Sequence, residues 1–477
     1  MNKITGIYWL GSDLRLNDNH CLQKCVDNNA NLMFVYCFDP NLLGSGRYNQ
    51  KRMGIDRRIF LSERLKSLKI ELKKRKQELF VFLDDPVKLI PELISHYEVS
   101  NVYRSKHPCI DEERQWNKII LDTEKNSDRQ INWFHLDNLT MFSETEIFNI
   151  YNFNGKVNQP IGSFSKFRKL IENGIKNNTL SKPILINEPY KLPPTFNFSP
   201  NNYLSFKKKL VTDIDEILRI KNKEPNNLLK KFIGDENKAL RHLNNYFSDL
   251  KAHSYKKTRN NLEGWESSTK FSPWLSLGML SPKQIWNSLI NFEFYHKKSD
   301  SSYWIFFELL WREYFHFYAK FYKEKLFSFS GINNKKPLTS FYPQRFASWK
   351  NSTTPYPLVN ACMKELKETG YLSNRGRQLV ASCLVNELSI DWRYGAAYFE
   401  EQLIDYDPAV NWGNWQYISG VGSDPRSNNG IGRHFNLEKQ RQTYDPNMTY
   451  TFRWLNKNEI NLNSKLDSVD ASDWPIA

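Results

Sequence analysis

Apolar and polar positions alternate along the first 140 residues in blocks that predict strands followed by helices. The predicted strands are residues 4–10, 32–38, 79–83, 101–104 and 131–136, and the clearest predicted helices are 52–76 and 87–97. Alternation of this kind indicates a parallel, doubly wound sheet. Because no GxGxxG pattern follows the first strand, a Rossmann dinucleotide site is not indicated.

The pattern changes twice after the predicted sheet. It weakens over residues 143–226, where a short helix is expected at 164–169 and prolines gather at Pro183, Pro189, Pro193, Pro194 and Pro200. From residue 227 to about 454 it is almost wholly helical. A chain of 477 residues is too long for one ordinary core, so two domains are expected. We predict an α/β plus all-α protein with a sheet domain at 1–142, a long connector at 143–226 and a helical domain at 227–477 that ends in a short polar tail.

The helical region contains a dense polar and aromatic series between residues 371 and 417. Its members are Asn374, Arg375, Arg377, Asp391, Trp392, Arg393, Asp405, Asp407, Asn411, Asn414 and Trp415. Taken singly, each is explained by core packing or an ordinary salt bridge. Together they are costly to bury unless they are paired or hold a polar ligand. The series therefore predicts a site for a large polar cofactor.

A second cluster lies earlier in the helical region. Glu308, Trp311 and Arg312 are spaced i, i+3 and i+4, so one helical face offers a carboxylate, an indole and a guanidinium. These groups can hold an extruded base by its edge, its face and the adjacent phosphate. A core tryptophan flanked by a structural salt bridge explains the pattern equally well.

A third cluster of hydroxyls and one cation stands just before a predicted helix. It comprises Ser268, Thr269, Lys270, Phe271 and Ser272, followed by Pro273, which suits the first turn of a helix. Hydroxyls and free backbone amides at such a turn can bind phosphate. The same residue types are also ordinary N-caps, so both interpretations stay open.

The composition of the chain indicates its class of partner and its cellular compartment. The net charge is +15 and aromatic residues make up 14% of the chain, which suits nucleic acid, although lysine enrichment can also reflect genome composition. Six cysteines are scattered without a CxxC pair or a matching histidine set, so we expect a reduced chain without a structural metal. The N-terminus lacks a secretory signal and no stretch is apolar enough to span a bilayer. We expect a soluble, cytoplasmic protein with no membrane partner.

Several separated motifs resemble the photolyase/cryptochrome flavoproteins, and specifically their cryptochrome DASH branch. The resemblance runs from residue 9 to residue 452, and its most specific segments are WLGSDLRLNDN at 9–19, the segment 255–281, FELLWREYF at 307–315, GYLSNRGRQ at 370–378 and the segment 403–426. It implies that the sheet domain is an antenna domain and that the helical domain holds a folded FAD. It also implies DNA as the partner, and we expect a monomer.

The resemblance assigns cofactor contacts position by position. The phosphate and ribityl contacts are Tyr255, Ser268, Thr269, Lys270, Phe271 and Ser272. Arg377 and Asp405 resemble the buried ion pair beside the flavin, and Asp407 resembles the carboxylate on its ribose or adenine side. Asn411 matches the residue that faces flavin N5, where an amide supports reduced flavin without adding a second negative charge.

The implied activity is light-driven repair of cyclobutane pyrimidine dimers by electron transfer from excited reduced FAD, that is, a deoxyribodipyrimidine photo-lyase of the DASH type. Single-stranded DNA is the expected preference. The substrate wall would comprise Glu308, Trp311, Arg312, Asn374 and Gln378, with Glu308, Asn374 and Asn411 in catalytic roles. The alternative is a blue-light photoreceptor with little or no repair activity. A 6-4 photolyase is disfavoured, because Leu372 and Ser373 stand where that class has its histidine pair.

Two light-related roles complete the assignment. Trp415 and Trp392 match the inner members of the tryptophan chain that photoreduces the flavin, but Thr339 stands at the outer position, which leaves Tyr342, Trp349 or another surface aromatic as the outer donor.

The usual antenna of this branch is 5,10-methenyltetrahydrofolate, and Glu112 or Glu113 is the implied contact. Acidic residues in a first helical turn are also ordinary partners of the helix dipole.

Overall fold

The computed structural model describes residues 4–126, 129–152, 161–195, 204–220, 224–424 and 433–460. A five-stranded, wholly parallel sheet forms the N-terminal domain, in the order β3-β2-β1-β4-β5. Its strands are β1 (Thr5–Leu10), β2 (Asn31–Phe38), β3 (Leu79–Leu83), β4 (Asn101–Ser105) and β5 (Asn132–Leu136). The predicted doubly wound sheet is confirmed, with each strand within one residue of its expected bounds.

Helices cover both faces of the sheet and build the whole C-terminal domain. Those of the N-terminal domain and connector are α1 (His20–Asn28), α2 (Ile55–Lys74), α3 (Pro86–His96), α4 (Ile110–Asn126), α5 (Glu144–Asn152), α6 (Phe164–Lys176), α7 (Leu204–Lys209) and α8 (Ile214–Ile217). Those that follow are α9 (Glu236–Ser248), α10 (Tyr255–Thr258), α11 (Ser272–Ser276), α12 (Pro282–His296), α13 (Asp300–Tyr322), α14 (Pro343–Lys350), α15 (Pro357–Thr369), α16 (Asn374–Ser382), α17 (Trp392–Gln402), α18 (Pro408–Ile418), α19 (Leu437–Tyr444) and α20 (Thr449–Trp454). The predicted fold class, α/β plus all-α, is confirmed.

The loop after β1 fastens the sheet domain to the helical domain. The buried Arg15 guanidinium donates to the carbonyls of Gly278 and Asn138, at 3.3 and 2.6 Å. The carboxylate of Glu236, at the start of α9, accepts from the backbone amides of Leu16 and Asn17, both at 2.8 Å. These bonds satisfy charges that would otherwise be costly to bury between the domains. They also fix α11, which ends two residues before Gly278, against the carboxyl edge of the sheet.

The connector packs on both domains, as its aromatic content predicts. Phe164 in α6 lies against Phe307 and Trp311 of α13. At the other end of the connector, the carbonyl of Pro194 accepts from the amide of Leu32 in β2. The expected helix at 164–169 is confirmed and extends to Lys176. The domain boundaries stay a prediction, and Pro200 and the polar tail after residue 460 lie outside the described residues.

Two features are absent from the described ranges. No helix there is both long and apolar enough to cross a bilayer. No group of three or more histidine, cysteine, aspartate or glutamate side chains there has the arrangement of a metal site.

One buried carboxyl gives the fold a specific pH dependence. Glu313 in α13 is fully buried, which raises its pKa to about 7 from an ordinary value of 4.5, although Arg312 opposes the shift. The folded state then holds a proton that the unfolded chain has released, so this stability is present below the ordinary pKa and is lost as the pH rises through 7. We expect Glu313→Gln to raise the thermal midpoint above that of the wild type in mildly alkaline buffer, by the equivalent of up to about 3 kcal/mol.

The check is a pair of thermal melts of wild type and Glu313→Gln, one in buffer below the ordinary carboxyl pKa of 4.5 and one in mildly alkaline buffer. The gain should nearly vanish in the acidic melt, where Glu313 is protonated in both the folded and the unfolded chain. The same gain in both buffers would contradict the account.

Candidate functional site

The polar series of the helical domain gathers where α13, α16, α17 and α18 pack together. Arg377 in α16 forms an ion pair with Asp405, and its Nη2 donates to both carboxylate oxygens, at 2.8 and 3.0 Å. The Asp405 side chain is only 2% exposed, so it depends on this guanidinium. The Arg377 side chain, by contrast, is 27% exposed and also donates to the Leu372 carbonyl. The predicted ion pair is therefore formed.

Asn411 lies one turn into α18 and is buried. Its side-chain amide donates to the carbonyl of Ala396 at 3.0 Å, which fixes the rotamer and leaves the side-chain carbonyl as an acceptor. A neutral acceptor held in this way suits the role predicted for Asn411 beside the flavin ring.

Asp407 caps the start of α18 and is bonded to a histidine that the sequence had not indicated. His316 Nε2 lies 2.7 Å from Asp407 Oδ2, and Arg312 Nη2 lies 3.8 Å away. Burial lowers the pKa of His316 to about 4, so the ring is neutral at pH 7 and its Nε2 must carry the donated proton. Burial alone would raise the pKa of Asp407, but His316 and Arg312 together hold it below its ordinary value.

The segment 268–272 forms a tight turn before α11. Lys270 adopts a left-handed backbone conformation, with φ of 56°, which is uncommon for a residue with a side chain and occurs at sites where the surrounding structure holds it. Its side chain is 7% exposed, and no carboxylate of the described residues lies within ion-pair distance. A buried ammonium without a counterion is costly, and the diphosphate of FAD is an anion that would supply one. The residues present therefore fit this cofactor.

The other predicted contacts of this group lie around that turn. The carbonyl of Thr269 lies 2.9 Å from His242 Nε2, and the Phe271 ring is buried against His242 and Tyr246. Ser272 begins α11, with Pro273 next to it. Ser268 is extended, and Tyr255 is buried at the start of α10.

Glu308 lies on α13 and pairs with Arg259, which directly follows α10. Burial raises the pKa of Glu308, and Arg259 opposes this shift. The Arg259 guanidinium also lies 4.8 Å from the ring of Trp304. Arg259 was missed in the sequence, although its i, i+4 spacing from Tyr255 offered a signal.

Trp311 and Arg312 have neighbours other than those the helical spacing predicts. Phe164 stacks on one face of Trp311, with ring centroids 3.7 Å apart, so a base could stack on that face only after Phe164 moves. Arg312 donates to the carbonyl of Leu139 at 2.7 Å and faces the N-terminal domain. The structure therefore brings Glu308 to Arg259 rather than to Arg312, and the substrate roles of Trp311 and Arg312 stay predictions.

Asn374 and Gln378 begin α16 and share one helical face. Asn374 is exposed and Gln378 is half-buried, and neither side chain bonds to another described residue. Both amides are available to a ligand, as their predicted roles toward DNA require.

The two predicted tryptophans of the electron route lie between α17 and α18. Trp392 is fully buried and Trp415 is 2% exposed, with the Trp415 ring against Gly395. Trp349 is also buried, with its ring 6.4 Å from that of Trp415. Tyr342, the other outer donor that was considered, is half-buried beside Arg345.

The predicted antenna acids sit at the start of α4. Glu112 lies 3.3 Å from His107 Nδ1, and although burial alone would raise its pKa, His107 lowers it to about 2. Glu113 lies 3.6 Å from His135 Nε2. His107 also lines a small cavity between the domains, together with Asp407. Through His107, the predicted antenna acid Glu112 thus adjoins the cavity that the predicted flavin acid Asp407 lines.

Comparisons with known proteins identify the family of this chain. A family model described as the FAD binding domain of DNA photolyase matches residues 304–466, and one described as DNA photolyase matches residues 6–181. A protein named cryptochrome DASH from Idiomarina loihiensis is 42% identical over 99% of this chain and 96% of its own length.

Two further comparisons agree. A cryptochrome DASH from Vibrio parahaemolyticus is 41% identical over 100% of this chain and 98% of its own. The crystal structure of a Synechocystis cryptochrome superposes with a TM-score of 0.85 at 32% identity, covering 100% of this chain and 95% of that one. The chain belongs to the cryptochrome DASH branch of the photolyase/cryptochrome family and carries that family's FAD-binding domain.

Proposed function

We propose that this protein repairs cyclobutane pyrimidine dimers in DNA with light, as a deoxyribodipyrimidine photo-lyase that prefers single-stranded DNA. The observation that carries the proposal is the position of Glu308. Its side chain is 30% exposed, is held by Arg259 and lies on α13, the helix that packs against α18. A fixed carboxylate in the FAD-binding domain can bind the polar edge of a base brought out of the strand.

The chain's own residues would hold FAD and leave its reduced form usable. Lys270 would neutralise the diphosphate, the Arg377–Asp405 pair would lie beside the ring, and Asn411 would face N5 without adding charge. FAD, when bound, supplies the light-driven electron transfer that side chains cannot.

DNA would approach at the N-terminal end of α16. The free amides of Asn374 and Gln378 provide hydrogen bonds there, and Arg259 provides positive charge near Glu308. A single strand is favoured because bringing a base out of it avoids the cost of unpairing.

The test is illumination of FAD-loaded, chemically reduced protein with oligonucleotides that contain one dimer, as single strand and as duplex. The proposal expects light-dependent repair that is faster on the single strand. A lack of repair on both substrates would favour the alternative, a blue-light photoreceptor.

We also propose that 5,10-methenyltetrahydrofolate binds beside Glu112. Oε2 of Glu112 is buried and lies 3.3 Å from His107 Nδ1, but it accepts no hydrogen bond from the described residues, so it can still accept from the amino group of a pterin. We expect Glu112→Ala to lose the near-ultraviolet absorption of the folate while the flavin content stays the same. A near-ultraviolet band of wild-type height in the purified variant would contradict this site, and Asp111→Ala, a neighbouring exposed acid, serves as the control.

A further inference from the structure

The predicted electron route has no ring at its expected outer position, because Thr339 stands there. A light-driven electron route needs a final donor that holds the positive hole long enough for an external reductant to reach it. The outer donor is therefore expected among the aromatic rings that contact Trp392 or Trp415.

Trp392 has such a neighbour in Trp412, which belongs to α18. Their ring centroids lie 5.8 Å apart at an interplanar angle of 75°, and both residues are fully buried. Trp412 Nε1 donates to the hydroxyl of Tyr406 at 3.1 Å. The three rings thus form a contiguous path that starts from a residue already assigned to the route.

Tyr406 has the surroundings that a tyrosine donor needs. A tyrosine that loses an electron retains the hole only if its phenolic proton also leaves. Because the Tyr406 oxygen accepts from Trp412, its own proton is free to be donated. Burial raises the pKa of Tyr406, and the charge of Glu400 raises it further, so Glu400 is a carboxylate whose charge acts on this phenol.

The Tyr406 side chain is partly exposed, whereas Trp392 and Trp412 are fully buried. It is half-buried and lines the cavity between the domains, together with His107 and Asp407. The Arg57 guanidinium lies 4.7 Å from its ring. A small reductant can therefore reach this end of the path more readily than it can reach Trp392.

We propose that Trp412 and Tyr406 form the outer end of the electron route in this chain, with Glu400 as the acceptor of the phenolic proton. The proposal rests on the light-driven flavin chemistry proposed above. In one event the flavin gains one electron, the hole passes from Trp415 through Trp392 to Trp412, and Tyr406 gives up one electron to the hole and its proton to Glu400 to become a neutral radical. An external thiolate then gives one electron to Tyr406 and becomes a thiyl radical, and protonated Glu400 returns the proton.

A rival path leaves Trp415 through Trp349. Trp349 contacts Tyr398, with ring centroids 5.5 Å apart, but Tyr398 is only 5% exposed. Burial raises the pKa of Tyr398, and the charge of Glu401 raises it further. Because Tyr398 is more deeply buried than Tyr406, a reductant reaches it less readily, and it provides a matched control.

The experiment uses full-length protein loaded with oxidised FAD and containing ring-deuterated tyrosine. Electron paramagnetic resonance after a blue flash should show a neutral tyrosyl radical in the wild type and in Tyr398→Phe. The signal should be absent in Tyr406→Phe, and Trp412→Phe should slow its appearance several-fold. Glu400→Gln should leave a tryptophan radical in place of the tyrosyl radical.

A tyrosyl radical of unchanged yield in Tyr406→Phe would overturn the proposal, as would its loss in Tyr398→Phe alone. Absence of photoreduction in Trp392→Phe is expected on the proposed path, whereas a wild-type rate would overturn that path and favour the one through Trp349. Repair assays use chemically reduced protein and need no photoreduction. Failure of this route therefore remains distinguishable from failure of the proposed repair function.

Discussion

Replacing Arg377 with leucine is expected to yield a folded protein that has lost most of its FAD. The change removes the ion-pair partner of Asp405, whose side chain is only 2% exposed. Breaking a buried pair from one side costs about 3–5 kcal/mol, because the remaining charge stays unpaired. Asp405 lies in the segment that continues to Asp407 and Asn411. We therefore expect the predicted flavin contacts of these residues to be lost together.

The measurement is the ratio of flavin to protein after gel filtration, with circular dichroism to confirm the fold. Arg377→Lys keeps the charge but cannot bond Asp405 and the Leu372 carbonyl at once, as the guanidinium does, and should retain an intermediate amount of FAD. Arg129→Leu, which breaks an exposed pair with Glu98, is the control for loss of one positive charge and should bind FAD fully. Full FAD occupancy in Arg377→Leu would show that the pair is not part of the flavin site.

Glu308→Gln is expected to keep its FAD and lose most of its repair activity. The amide has nearly the same size but carries no charge, so it is a weaker acceptor and leaves Arg259 without its partner. Hydrogen bonds to charged groups contribute about 1.5–3 kcal/mol, which corresponds to a loss of roughly tenfold to a hundredfold in repair at limiting substrate.

The measurement is the rate of dimer splitting at equal flavin content and equal light intensity. Asp300→Asn makes the same chemical change on the same helix, at a side chain that is 86% exposed, and should repair like the wild type. If Glu308→Gln matched Asp300→Asn, Glu308 would have no role in substrate binding.

The sheet was predictable because its signal is local. Buried parallel strands are apolar on both faces, and the runs at 4–10 and 79–83 show this without any knowledge of their neighbours. The Arg377–Asp405 pair came from the family resemblance, and the structure forms it.

The contacts that were missed join elements far apart in the chain. Arg259 and Glu308 are 49 residues apart, and Glu236 reaches the loop after β1 across 220 residues. Neither pairing follows from periodicity, because helical spacing fixes only neighbours on the same helix. Helical spacing favoured Arg312 as the ion-pair partner of Glu308. The packing of α13 against the N-terminal domain instead directs Arg312 to the carbonyl of Leu139.

The ring that stacks on Trp311 could not be predicted from helical spacing either. Its position on α13 indicated an exposed stacking platform, but the connector folds back and places Phe164 on its face. The position of Phe164 depends on α6 packing across α13, a tertiary contact that the weak periodicity of the connector did not reveal.

The most direct test of the central claim is light-dependent splitting of a cyclobutane dimer in a single-stranded oligonucleotide by purified, FAD-loaded and chemically reduced protein. The account predicts recovery of intact bases in blue light and none in the dark, with the flavin still reduced after many turnovers because no net redox change occurs. It also predicts that Glu308→Ala loses most of this activity at equal flavin content. No splitting by the wild type under these conditions would contradict the account.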